Sequence, residues 1–152
     1  MANIAQIANV LQSVVLTEGS RMLLTPTYHV FDLYKGHQSG TLIDSFIETK
    51  HIGDGENCIP NLNESVSMGC DGNITSTLCN LSATDDYDIE LMVFDKVIKS
   101  ARTTILQNKI DAFNTFDNPS VVNTEEFNDM LIKDEKLHFR IPACSVLSIN
   151  LL

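Results

Sequence analysis

Carboxylates, histidines and aromatic rings are the groups of this chain that could do chemistry, and their spacing limits which chemistry. Acid/base hydrolysis needs two carboxylates held at one site. Glu18, Glu48, Glu56, Glu64, Glu90, Glu125, Glu126 and Glu135 instead fall in turns or on faces expected to meet solvent. His29 and His37 are eight residues apart, two turns of a helix. A metal site wants closer ligands and an added carboxylate, so packing or domain contact is their expected role. Asp85, Asp86 and Asp88 lack the glycine and closing glutamate of a calcium loop and are expected to form a solvated turn. Tyr28, Phe31 and Tyr34 could stack on a sugar ring, but aromatic residues at helical spacing more often belong to a core. No Ser/His/Asp set, phosphate loop or dinucleotide fingerprint occurs, and no metal or cofactor is expected.

Composition narrows the partners. The 152 residues are enough for one core and a small appendage, and 43% hydrophobic with 20% charged content marks a globular chain. The net charge of −10 comes with no basic stripe, which argues against nucleic acid and against an anionic membrane surface. An acidic chain suits solubility and a neutral ligand such as a sugar. Cys58, Cys70, Cys79 and Cys144 form no C-x-x-C pair and are expected to be free, mostly buried thiols, with a Cys70–Cys79 bridge across one hairpin as the alternative. Asn63, Asn73 and Asn80 begin N-x-S/T triplets, which matter only in a secreted eukaryotic protein. No apolar run approaches a membrane span.

The elements that would position these groups begin with two helices. Ile4, Ile7, Ala8, Leu11, Val14 and Val15 recur at spacings of three and four, which predicts an amphipathic helix that starts without a cap and stops near Gly19. A helix entered in mid-stride suggests a fragment of a longer protein. Thr25-Pro26 predicts a second helix, with Thr25 as N-cap and Pro26 at the first helical position, ending between Gly36 and Gly40. Beyond it the period falls to two. An extended segment covers Thr41 to Lys50, then a Gly/Asp/Asn-rich loop from Gly53 to Asn63. Strands follow at 65–68, 74–81, 88–94 and 96–107, with Asp71-Gly72 as a hairpin turn. A long irregular connection spans Asp111 to Asn128, and a final pair covers 137–141 and 145–151. Short strands joined by polar turns predict a mainly β chain, an antiparallel sandwich of jelly-roll type.

Several of these segments match a known family. Ala2-Asn3-Ile4-Ala5-Gln6, Asn9-Val10-Leu11-Gln12 and Leu24-Thr25-Pro26-Thr27-Tyr28-His29-Val30-Phe31 resemble the α-L-arabinofuranosidases of glycoside hydrolase family 51. Leu78-Cys79-Asn80-Leu81, Asn114-Thr115-Phe116-Asp117-Asn118-Pro119 and Ile141-Pro142-Ala143-Cys144-Ser145-Val146-Leu147 are similar to that family's C-terminal segments. The likeness keeps the family's order through nearly the whole chain. It departs at Gly36, where a bulkier residue is more usual.

The resemblance implies a plan and a division of labour. A (β/α)8 barrel would carry catalysis and a C-terminal sandwich would pack against it. Residues 1–40 would then be two short helices left from the barrel and 41–152 the sandwich. The family's reaction is retaining hydrolysis of terminal arabinofuranosyl groups, with two glutamates about 5 Å apart. Both would lie upstream of Met1, so this chain is expected to hydrolyse nothing alone. Gln6 matches a family glutamine that hydrogen-bonds the bound arabinose, a task an amide suits because it both donates and accepts. The expected role is to brace the barrel and a homo-oligomer in the cytoplasm. The alternative is a carbohydrate-binding module, against which the lack of Trp and of an aromatic row counts.

Overall fold

The computed structural model describes residue 4, residues 6–11 and residues 13–152. The first expected helix is not there. Residues 6–11 are irregular, and Val15–Glu18 (β1) pairs antiparallel with Arg21–Leu24 (β2). Positions 1–3, 5 and 12 of that expectation lie outside the described residues. The reason is local. Val14, Val15 and Thr17 are β-branched and favour extended backbone. Gly19-Ser20 forms a two-residue loop between Glu18 and Arg21, with Gly19 at φ 59. A glycine first in such a loop matches the twist of a hairpin. Ile7 and Leu11, expected on a buried helix face, are exposed.

The second helix forms as expected. Pro26–Tyr34 (α1) starts after Thr25 and tightens into a 3-10 turn over Lys35–His37. Leu33 and His29 are its buried residues. Thr25 holds the N-cap position but its hydroxyl makes no capping bond.

The rest of the chain is mainly β and antiparallel throughout. Thr41–Leu42 (β3), Leu62–Met68 (β6), Ile74–Asn80 (β7), Ala101–Gln107 (β9), Thr124–Glu126 (β10) and Ser145–Leu151 (β13) make a six-stranded sheet in the order β10-β9-β13-β7-β6-β3. Tyr87–Leu91 (β8), Met130–Lys133 (β11) and Lys136–Ile141 (β12) make a three-stranded sheet in the order β11-β12-β8. His51–Asp54 (β4) and Asn57–Pro60 (β5) form a separate hairpin that runs into the Gly53 to Asn63 segment expected to be a loop. Gly53 lets that hairpin form: it sits at φ 119, where a Cβ would collide with the Asn57 carbonyl. β10 and β11 also arise in or beside the stretch expected to be irregular, and β9 begins at Ala101 rather than Lys96.

The core lies between the two sheets. Leu147, Ile149 and Leu151 of β13 meet Leu137, Phe139 and Ile141 of β12, with Leu62, Ile74, Leu78 and Ile105 around them. The opposite face of the large sheet is covered by α1, where Val30 and Leu33 pack on Leu106, Val122 and Val146. β7 and β13 are therefore covered on both faces, which explains their nearly continuous burial. The four cysteines are free. Cys58 and Cys70 are exposed and Cys79 and Cys144 only partly covered, which corrects the expectation of mostly buried thiols.

Candidate functional site

Three groups of residues carry the polar geometry of the molecule. The first is the segment that leads into β1 and holds Gln6. Its backbone is pinned at several points. The Ile7 carbonyl accepts from the Val14 amide at 2.9 Å and the Val15 amide at 3.1 Å. Asn9 sits at φ 56; its Nδ2 donates to the Thr17 hydroxyl at 2.8 Å and its Oδ1 accepts from the Thr17 amide at 2.7 Å. The Thr25 hydroxyl donates to the Ser13 carbonyl at 2.7 Å and lies 3.1 Å from that of Val14, which is why it does not cap α1. Gln6 itself is exposed, at the open end of this construction.

The loop before β10 locks the same hairpin from the other side. Asn114 is buried; its amide donates to the carbonyls of Leu24 at 3.0 Å and Val122 at 2.9 Å, and its oxygen accepts from the Val122 amide at 2.7 Å. The Arg21 guanidinium lies 5.0 Å from the Phe116 ring centre and 3.7 Å from the Asp117 carboxylate, and also pairs with Glu18. The stretch Asn114 to Asp117 thus serves to hold β2 in place.

The second group is a polar layer between the end of α1 and the large sheet. His37 Nδ1 lies 2.8 Å from the Ser67 hydroxyl and Nε2 2.8 Å from the Thr77 hydroxyl. Burial lowers the pKa of His37. The Tyr34 hydroxyl lies 3.3 Å from Cys79 Sγ, and burial raises the pKa of both. His29 is buried edge-on to Tyr28, and burial lowers its pKa against the opposing pull of Asp32. The two histidines therefore serve packing, as their spacing predicts. Of the three helical aromatics, Phe31 is exposed and Tyr28 and Tyr34 are only partly covered, so they form neither a full core stripe nor a flat sugar platform.

The third group is the acidic turn. Asp86 accepts from the Ala143 amide at 3.0 Å and Arg140 Nε at 3.3 Å, while Asp88 lies 3.9 Å from the same arginine. Asp85 belongs to a turn in which its amide donates to the Ser82 hydroxyl at 2.9 Å and its carbonyl accepts from Asn80. These carboxylates brace a turn. Among the described residues no group of three His, Cys, Asp or Glu side chains could hold a metal ion. Asn80 is buried and donates to backbone carbonyls, so its triplet offers no free acceptor amide; Asn63 and Asn73 are exposed.

No glutamate is buried among the described residues. Glu64 is half-covered and accepts from Ser45 at 3.2 Å; Lys136 holds Glu90 below the usual carboxylate range. A glycosidase acid is kept protonated by a desolvating pocket, and these residues provide none. Asn9 and Asn114 are the polar residues that organise the segment carrying Gln6. Neither is marked by its sequence spacing.

Comparison with known proteins agrees with this partial machinery. The family model described as the alpha-L-arabinofuranosidase C-terminal domain matches residues 1–145. An intracellular exo-alpha-L-arabinofuranosidase of Bacteroides ovatus is 36% identical over 154 residues, covering 99% of this chain and 30% of the relative. The crystal structure of a GH51 arabinofuranosidase from Xanthomonas axonopodis pv. citri superposes with a TM-score of 0.92 at 33% identity, over 100% of this chain and 31% of that one. A thermostable GH51 alpha-L-arabinofuranosidase of Thermotoga petrophila shares the fold, with a TM-score of 0.85 at 24% identity, over 100% of this chain and 34% of that one. The chain therefore spans about a third or less of the length of these relatives.

Proposed function

From the premise that this chain belongs to the α-L-arabinofuranosidase C-terminal domain family, we propose that it is the supporting, non-catalytic part of a family 51 enzyme. The carrying observation is the match over residues 1–145 to the C-terminal domain family, together with the coverage of only 30% of the Bacteroides relative by this chain. The whole enzyme hydrolyses terminal arabinofuranosyl groups with retention, on a pair of glutamates borne by a (β/α)8 barrel outside this chain. The two-sheet region from residue 41 onward is the jelly-roll domain, and residues 1–40 are the segment it shares with the barrel. The domain braces the barrel and the homo-oligomer. Gln6 hydrogen-bonds the arabinose hydroxyls. Its exposure at the end of a pinned segment supports that role, because it is free to meet a ligand in a fixed place. The name of the Bacteroides relative supports an intracellular enzyme.

The assay is direct. The isolated chain is expected to release no product from an aryl α-L-arabinofuranoside, whereas the full-length enzyme turns it over. Turnover by the purified 152 residues would overturn the reading. Titration of the isolated chain with arabinoxylan and arabinan oligosaccharides should give no binding heat; saturable binding would instead assign a carbohydrate-binding module.

A further inference from the structure

We infer that Asn9 is a positioning residue for Gln6, acting through the backbone between them; the inference rests on the proposed sugar contact of Gln6. Asn9 adopts a left-handed conformation, with φ 56, that costs most side chains energy and that Asn tolerates best after glycine. Its side-chain amide lies against Thr17 like one more rung of a ladder, accepting from the backbone N–H and donating to the hydroxyl. Its own backbone N–H donates to the Val15 carbonyl at 3.1 Å. These three bonds fix the reversal that brings the Ile7 carbonyl onto the amides of Val14 and Val15. Gln6 immediately precedes that carbonyl's residue, so its Cα follows wherever the reversal is set. The clamp is far too elaborate for an unemployed lead-in. It joins a left-handed residue to the first strand, and Gln6, one residue before the pinned carbonyl, carries an exposed amide on a stretch whose Ile7 and Leu11 are also exposed.

The test uses the full-length enzyme and four variants: Q6A, N9A, N9D and the double variant Q6A/N9A. N9A removes both side-chain bonds and leaves alanine in the left-handed region. It is expected to lower kcat/KM by about tenfold or more, toward the roughly hundredfold that a 1 Å misplacement costs. N9D keeps an acceptor for the Thr17 amide and a partner for its hydroxyl, so it should restore most of the activity. In the Q6A background the N9A substitution should change kcat/KM little further, because the group being positioned is gone. Equal N9A losses in both backgrounds, or no loss at all, would overturn the inference. If N9A does not fold, T17V removes the hydroxyl partner alone and is read against Q6A in the same way. If Q6A itself leaves kcat/KM unchanged, the proposed sugar contact fails. A loss with Q6A and none with N9A removes the positioning role alone.

Discussion

His37 shows how one side chain can join two layers. Both ring nitrogens meet hydroxyls, from Ser67 on β6 and Thr77 on β7, and both partners are buried. Replacing His37 with alanine strands those hydroxyls, at a cost of about 1–3 kcal/mol. Urea unfolding near neutral pH would measure it. The pH dependence has a definite direction. Burial lowers the folded-state pKa of His37 and of His29 from the ordinary 6.5 of histidine. Below 6.5 the unfolded chain therefore binds more protons than the folded one, and stability must fall as the pH drops through that window until the folded-state pKa is reached. The loss from the lowered Glu90 comes at more acid pH, below its ordinary 4.5. Melting temperature should fall as the pH drops below about 6.5, and H37A should flatten that slope. A slope unchanged in H37A would remove His37 from the account. The core supplies a reference: Leu147 is 0% exposed, and L147A should cost about 2–5 kcal/mol with no change in the slope.

The elements differ in how far the sequence announced them. Strands β7, β12 and β13 alternate or run apolar to the end, and α1 begins at its Thr-Pro signal, so these were legible. The lead-in misled because Ile4, Ile7, Ala8 and Leu11 mimic a helical period, while the stronger instruction came later, from β-branched residues and the Gly19-Ser20 loop. The β4–β5 hairpin hid behind a loop-like composition, since Gly53 and Gly55 supply its geometry without any apolar alternation. Gln6 was marked only by a family likeness. Asn114 lies within a family-like motif, but its partner Leu24 is 90 residues away, a distance that no local period encodes. Two substitutions separate these elements. N114A leaves the buried Val122 amide and two carbonyls without a partner and should cost at least about 2 kcal/mol in global stability. G53A forces a Cβ against the Asn57 carbonyl at φ 119, yet His51–Pro60 lies mostly in solvent. It should speed amide exchange across that hairpin while moving the global melting temperature little. Equal global losses from the two would show the hairpin to be part of the cooperative core.

Taken as one body, the chain exposes more surface than its mass warrants. Its accessible area is 10239 Å² at 16.9 kDa, against about 7,700 Å² for a compact monomer of that mass. The excess of about 2,500 Å² exceeds a standard protein–protein interface. Much of it is apolar. Leu11 is 104% exposed, Phe46 88% and Phe94 86%. Phe46 and Phe94 border a groove of about 680 Å³ lined mainly by apolar side chains beside β8, one of the two edge strands of the small sheet. A domain whose work is to brace a barrel would bury such surface in the parent and expose it when isolated. The isolated chain is therefore expected to self-associate. Charge sets the salt dependence: each copy carries −10, so copies repel at low ionic strength and screening lets apolar contact win. Sedimentation velocity should show the associated fraction rising with salt. It should fall when Phe94 is replaced by lysine, which removes apolar area from an exposed site without touching the core. A monomer at every salt concentration would mean that this surface is tolerated in water, and would remove the physical ground for a bracing role. Association that weakens with salt would place the contact on ion pairs instead, which a surface this acidic can form with a copy of itself only by bringing its few cations against the excess of carboxylates.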